Sequence, residues 1–118
     1  MFICTRTIYF RDNMCLQKGI PLCRDICKLA GKYELDVKFH HSYFGDNDRG
    51  LFLWSTESID EMNKMFEQFL HDSEYQKFNE KIVELTSEGS THDDIWRLVT
   101  DHNFVLNCFI IATLQHPC

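Results

Sequence analysis

Apolar and polar positions alternate most cleanly over residues 35–44. Leu35, Val37, Phe39, His41 and Tyr43 fall on one side and Asp36, Lys38, His40 and Ser42 on the other, the period-two signature of a strand. A polar stretch over residues 45–50 breaks the pattern, and residues 51–56 resume it, so the pair predicts a hairpin. Residues 2–10 are rich in Phe, Ile, Thr and Tyr, a third strand by composition. Elsewhere the period changes to that of a helix. Pro21 is suited to a first turn, where its missing N–H costs nothing. Cys23, Ile26, Cys27 and Ala30 follow at helical spacing, with Gly31 as the stop.

Ser58 and Glu61 stand three apart ahead of an apolar stripe of Ile59, Met62, Met65, Phe66, Phe69 and Leu70, the capping-box arrangement of a helix start. That helix closes at His71-Asp72-Ser73. A second one follows, with Tyr75, Phe78, Ile82 and Leu85 inward. Thr91 with Asp93 and Asp94 predicts a short helix through Ile95, Leu98 and Val99, its acids favoured by the helix dipole. Residues 104–114 are apolar, β-branched and aromatic, and predict the last strand. The order is then strand, helix, hairpin, helix pair, short helix, strand. This is an α+β, ferredoxin-like βαββαβ pattern with an antiparallel sheet and extra helical segments toward the C-terminus. The predicted organisation is one domain over residues 1–118, with 91–118 a C-terminal extension carrying the last strand.

The helices of such a pattern cover one sheet face. Here Phe52 and Trp54 alternate with Leu51 and Leu53, so both faces carry large apolar groups. A second copy laid on the open face would bury it, which predicts a homodimer enclosing an apolar pocket. Ten Phe among 118 residues strengthen this expectation, because a body this small has little deep interior to hold them.

Charge removes some classes of partner. Twelve Lys and Arg face eighteen Asp and Glu, giving a net charge of −6, and the basic residues are dispersed. Nucleic acid binding needs a positive patch, so no nucleic acid partner is expected. Residues 1–10 alternate and carry Arg6, unlike a signal peptide. The apolar run 104–114 is interrupted by Asn107 and falls short of the roughly 20 residues of a membrane span. A soluble, cytoplasmic protein is expected. Its six cysteines, Cys4, Cys15, Cys23, Cys27, Cys108 and Cys118, then stay reduced. Cys23 and Cys27 read as small core residues, with a metal or redox pair as the alternative.

At Arg6-Thr7-Ile8-Tyr9, at Leu51-Phe52-Leu53-Trp54-Ser55, and at residues 58–69 followed by His71-Asp72-Ser73-Glu74-Tyr75, the chain resembles the dimeric α+β barrel superfamily. NIPSNAP-like and antibiotic-biosynthesis-monooxygenase-like proteins look most similar, in a strand ending in Trp, a helix, and a D-x-x-Y/F step. The resemblance covers roughly residues 1–85. It implies a dimeric barrel, and it leaves activity open among cofactor-free monooxygenases, polyketide cyclases and proteins without assigned chemistry. Haem-degrading members share the Trp, here Trp54, but also carry an Asn in the first strand and a His after the D-x-x-F step. Arg6 and Asn79 stand near those places, so the likeness does not extend to haem.

His41 lies on the apolar face of its strand, where an imidazole can act as general base or hydrogen-bond a neighbouring strand. Arg6, mid-strand among apolar residues, needs an anionic partner, either a carboxylate of the fold or a ligand. Tyr43 and Tyr9 can aim hydroxyls into a pocket or serve as strand filler. Trp54, Phe39 and Phe52 can wall a ligand or belong to the core. The other histidines lack ligand-like spacing, so no metal site is expected, and no cofactor motif occurs. The expected activity is that of a cofactor-independent monooxygenase, cyclase or isomerase acting on a small aromatic or polyketide-like substrate. In it His41, Arg6 and Tyr43 are catalytic, and Trp54, Tyr9, Phe39 and Phe52 bind the ligand. The alternative is a non-catalytic ligand-binding or assembly protein of the same fold.

Overall fold

The computed structural model describes residues 1–43 and 48–99. Strand β1 (Phe2–Tyr9) leads into helix α1 (Asn13–Gly31), the hairpin β2 (Lys38–His41) and β3 (Arg49–Thr56), helices α2 (Ile59–Leu70) and α3 (Ser73–Leu85), and strand β4 (His92–Arg97). The sheet order is β2-β3-β1-β4, and every pairing is antiparallel. This is the expected ferredoxin-like arrangement, with the first and third strands at the centre.

Three expectations change. Within residues 91–99, His92–Arg97 form an edge strand of the described sheet, not a helix. The acids that suited a helix start are taken up by the sheet: Asp93 lies in register with Arg6, and Ile95 with Cys4. Helix α1 begins a full two turns before Pro21. Asp12 caps it, its carboxylate accepting from Cys15 N at 2.8 Å. Burial of Leu16 and Gly19 on the first turns outweighs the roughly 3 kcal/mol that an interior proline costs. Finally, β2 is shorter than its alternation. Residue Leu35 instead folds back, its N–H donating to Ala30 O, with Glu34 in the left-handed region at φ 60°. Helix α1 does end at Gly31, as expected, and this turn closes it. The strand expected over residues 104–114 lies outside the described residues.

Even-numbered residues of β1 and β3 face the helices. Cys4, Ile8, Phe52 and Trp54 are buried there against Leu16, Cys23, Ile26, Leu29 and Ala30 of α1, Met62 and Phe69 of α2, and Tyr75 and Ile82 of α3. Phe10, fully buried, extends this core beyond the end of β1. The opposite face of the sheet carries Ile3, Leu51 and Leu53, all half-buried, with Trp96 exposed. No helix among the described residues is long and apolar enough to cross a membrane.

Helix ends are tied together by side chains. Ser58 caps α2, accepting from Glu61 N at 3.3 Å. Asp72 caps α3, accepting from Glu74 N at 2.8 Å. The same Asp72 carboxylate accepts from Tyr33 Oη at 2.5 Å, which locks the end of α1 to the α2–α3 corner. That contact, with the two backbone N–H groups, holds the Asp72 carboxyl below its ordinary range.

Candidate functional site

An apolar hollow of about 80 Å³ lies between the sheet and the helices of this one chain. The pocket expected between two sheets would need a second copy; the one described here is on the other side of the sheet. Strands β1 and β3 supply Arg6, Ile8, Phe52 and Trp54, helix α1 supplies Ile26 and Ala30, and α2 and α3 close it with Phe66, Phe69, Tyr75, Asn79 and Ile82. Period-two alternation aims the four sheet residues to one side. Helical spacing brings Tyr75, Asn79 and Ile82 to the same side of α3.

Among the described residues, Arg6 is the one charged side chain of this lining. Its guanidinium forks onto Asp93 across the β1–β4 ladder, Nε to Oδ1 at 2.8 Å and Nη2 to Oδ2 at 2.9 Å. Hydrogen bonding to Asp93 raises the Arg6 pKa against the opposing effect of burial, with the Tyr75 hydroxyl adding a smaller contribution. Asp93 is correspondingly lowered, chiefly by that same bond. A bidentate charged pair of this kind is geometrically specific, and it satisfies Arg6 inside the fold.

Trp54 is held from two sides. Its indole Nε1 lies 3.1 Å from Met62 Sδ, and its ring packs on Phe66 with centroids 5.0 Å apart. The Cys4 thiol lies 3.4 Å from the same sulfur. Phe52 lines the hollow with Phe39 behind it, centroids 4.9 Å apart.

The residues singled out in the sequence therefore divide. Arg6, Trp54 and Phe52 converge on the hollow. His41 lies in register with Gly50 at the β2 edge and lines a separate hollow with Phe39, Ile20, Arg24, Cys27, Lys28 and Lys38. Tyr43 is 88% exposed. Tyr9, being odd-numbered on β1, belongs to the opposite face from Arg6 and Ile8. Tyr75, Asn79 and Asp93 are the site residues that sequence reasoning did not select. Tyr75 ends the D-x-x-Y step, a local signal that was present; Asp93 had none, because its role depends on β4 being a strand. Among the described residues no group of His, Cys, Asp or Glu is arranged to hold a metal.

No family model matches the chain, and no curated protein matches it. Solved structures do. An uncharacterized NIPSNAP domain protein from Burkholderia xenovorans is 16% identical, with a TM-score of 0.68 over 86% of this chain and 96% of that one. A NIPSNAP family protein from Agrobacterium tumefaciens is 20% identical, with a TM-score of 0.69 over 86% and 96%. A putative antibiotic biosynthesis monooxygenase from Nitrosomonas europaea is 9% identical, with a TM-score of 0.65 over 85% and 100%. At these identities the likeness is one of fold. The chain has the ferredoxin-like α+β fold of NIPSNAP and antibiotic biosynthesis monooxygenase proteins, as its sequence resemblance implied.

Proposed function

We propose that this protein is a homodimeric, cytoplasmic binding protein that holds a small apolar or aromatic ligand in the hollow between its sheet and helices. The observation that carries this reading is the lining itself, apolar apart from Arg6, Tyr75, Asn79 and two threonines. A few oriented polar groups in an apolar hollow are what small-molecule sites require. Arg6 is satisfied by Asp93, and among the described residues the lining holds neither a His nor a carboxylate, the groups that would serve as general base in enolisation or oxygenation of a bound substrate.

The second reading is the cofactor-independent monooxygenase, cyclase or isomerase. It is favoured by the convergence of Arg6, Tyr75 and Asn79, three donors suited to a developing oxyanion. Under it Trp54 and Phe52 wall the substrate, and Tyr9 and Phe39 support them. His41 and Tyr43 serve as acid and base only by reaching the substrate from the β2 side.

The homodimer is supported by the half-buried Ile3, Leu51 and Leu53 of the open sheet face, which a second copy covers. A reducing cytoplasm is supported by the free thiols of Cys4, Cys15, Cys23 and Cys27. Native mass spectrometry of the purified protein tests the whole reading. A dimer carrying a co-purified small molecule is the expected result. A monomer sinks the assembly. Turnover of aromatic or polyketide-like substrates that is lost in His41→Ala but not in Tyr9→Phe moves the balance to the enzyme.

A further inference from the structure

We infer that Arg6 is an exchangeable counter-ion, and that the ligand of this hollow is a carboxylate-bearing apolar molecule whose anionic end takes Arg6 in place of Asp93. The inference rests on the binding role proposed above and names the chemistry of the ligand.

Three observations carry it. First, the sheet–helix hollow adjoins a second one of about 390 Å³ between α2 and β4. Arg6, Trp54 and Phe66 line both, so these three side chains form the wall between them. Trp54 and Phe66 stack on each other, and Met62 holds the indole. Arg6 is the part of the wall that a charge exchange can move.

Second, the two sides of that wall differ in charge. Among the described residues the inner lining contains no acid, whereas Glu67, Asp93 and Asp94 all line the outer hollow. An anion approaching from the inner side meets Arg6 with the Tyr75 hydroxyl and the Asn79 amide. One approaching from the outer side meets three carboxylates. The inner hollow therefore selects an anion, and the crowding of acids outside favours release of Asp93 once Arg6 has another partner.

Third, the Arg6–Asp93 pair is weakly anchored. The Asp93 side chain is 56% exposed on the edge strand β4, and a half-exposed ion pair shifts an equilibrium by no more than about fivefold. A ligand carboxylate in the drier inner hollow forms a stronger fork on the same guanidinium. Room points the same way. At about 80 Å³ the inner hollow is smaller than the roughly 150 Å³ cavity that accepts benzene. Turning Arg6 inward opens the wall beside Trp54 and Phe66, so the ligand's apolar body gains space from the outer hollow.

The test uses a matched set: 4-phenylbutyrate, 4-phenylbutan-1-ol and 4-phenylbutylamine, titrated into the full-length protein by calorimetry and by the NMR shift of the Trp54 indole N–H. The acid is expected to bind more tightly than the alcohol, and the amine least. Asp93→Asn is expected to tighten the acid relative to the alcohol by up to about fivefold. Arg6→Gln is expected to abolish the acid's advantage over the alcohol. The Asp93 change sits at an exposed edge and leaves the core intact, and the amide spectrum checks the fold of each variant. Alcohol and acid binding equally, or Asp93→Asn leaving the acid unaltered, overturns the exchange while the binding role stands. An amine that binds best overturns the assignment of charge. No binding of any of the three overturns the binding role and the exchange together.

Discussion

The ring of Phe10 occupies the space that a side chain at Gly19 would need. A Cβ on Gly19 would come within 2.2 Å of Phe10 Cε1 and 2.7 Å of Cζ. Gly19 has helical neighbours on α1, and glycine there costs about 1 kcal/mol against alanine in propensity. The helix tolerates that cost because the aromatic ring must pass close to its backbone. Phe10 is fully buried, so the ring has no room to withdraw.

Gly19→Ala should therefore destabilise the protein by about 1–3 kcal/mol, the usual range for overpacking, despite its better propensity. Urea unfolding measures this. Combining it with Phe10→Leu, which clears the ring, should give less than the sum of the two losses. Strict additivity would show that the two residues do not compete for the same space.

The Trp54 indole N–H donates to the Met62 sulfur at 3.1 Å. Met62→Leu keeps the volume but leaves a buried N–H without that acceptor. A loss of about 1–2 kcal/mol is expected, above that of an ordinary Met-to-Leu exchange. In a Trp54→Phe background the same change should cost less. Equal costs in both backgrounds would show that the sulfur contact contributes only packing.

Acid should weaken the fold through carboxylates whose charged form is favoured when folded. Asp12 is lowered by the Cys15 N–H, Asp72 by the Tyr33 hydroxyl and Asp93 by Arg6. Each binds its proton at lower pH folded than unfolded. Their contribution is therefore complete above the unfolded-state pKa of about 4 and is lost as pH falls through the lowered folded values. Urea midpoints measured from pH 6 to 2.5 should hold level and then drop below about pH 4. Asp72→Asn, which keeps a capping side chain, should flatten part of that drop. A drop of unchanged size in Asp72→Asn would assign it to other groups.

Burial pushes the Cys23 thiol up to about 12, with the nearby Cys27 adding to it. At pH 8 about one Cys23 in ten thousand is then a thiolate. Alkylation followed by peptide mass spectrometry should leave Cys23 unmodified in the folded protein and label it fully in urea. Rapid labelling of Cys23 without denaturant would contradict its place in the core.

Leu53 stands on the open sheet face, in register with Lys38 and Thr5. Under the proposed dimer, Leu53→Glu places a charge in the interface and should convert the dimer to a folded monomer. Light scattering with circular dichroism reads both properties at once. A dimer that survives the change would mean the interface lies elsewhere.

Much of this architecture was legible in the chain itself. Alternation at Leu51, Phe52, Leu53 and Trp54 set a strand with two apolar faces, because a pleated backbone sends neighbours to opposite sides. Ser58 marked a helix start, because its side chain can accept from a free N–H group of the first turn; Asp72, read only as part of the break between two helices, proved to cap the second. Arg6, lone and charged among apolar neighbours, was identifiable as needing an anion. These are local matters, decided within a few residues.

What tertiary structure alone decided was which distant groups meet. The segment around Asp93 has acids suited to a helix start, yet the free edge of β1 makes it a strand, since pairing with Arg6 satisfies both backbone and charge. Alternation put His41 and Phe39 on one side of a strand, but the sheet order sent His41 to an outer edge, away from Arg6. A hollow between sheet and helices, with Arg6 at its wall and Asp93 as its partner, stands on the other side of the sheet from the pocket expected between two copies. Periodicity determines which side a residue takes; only the order of strands determines what stands opposite it.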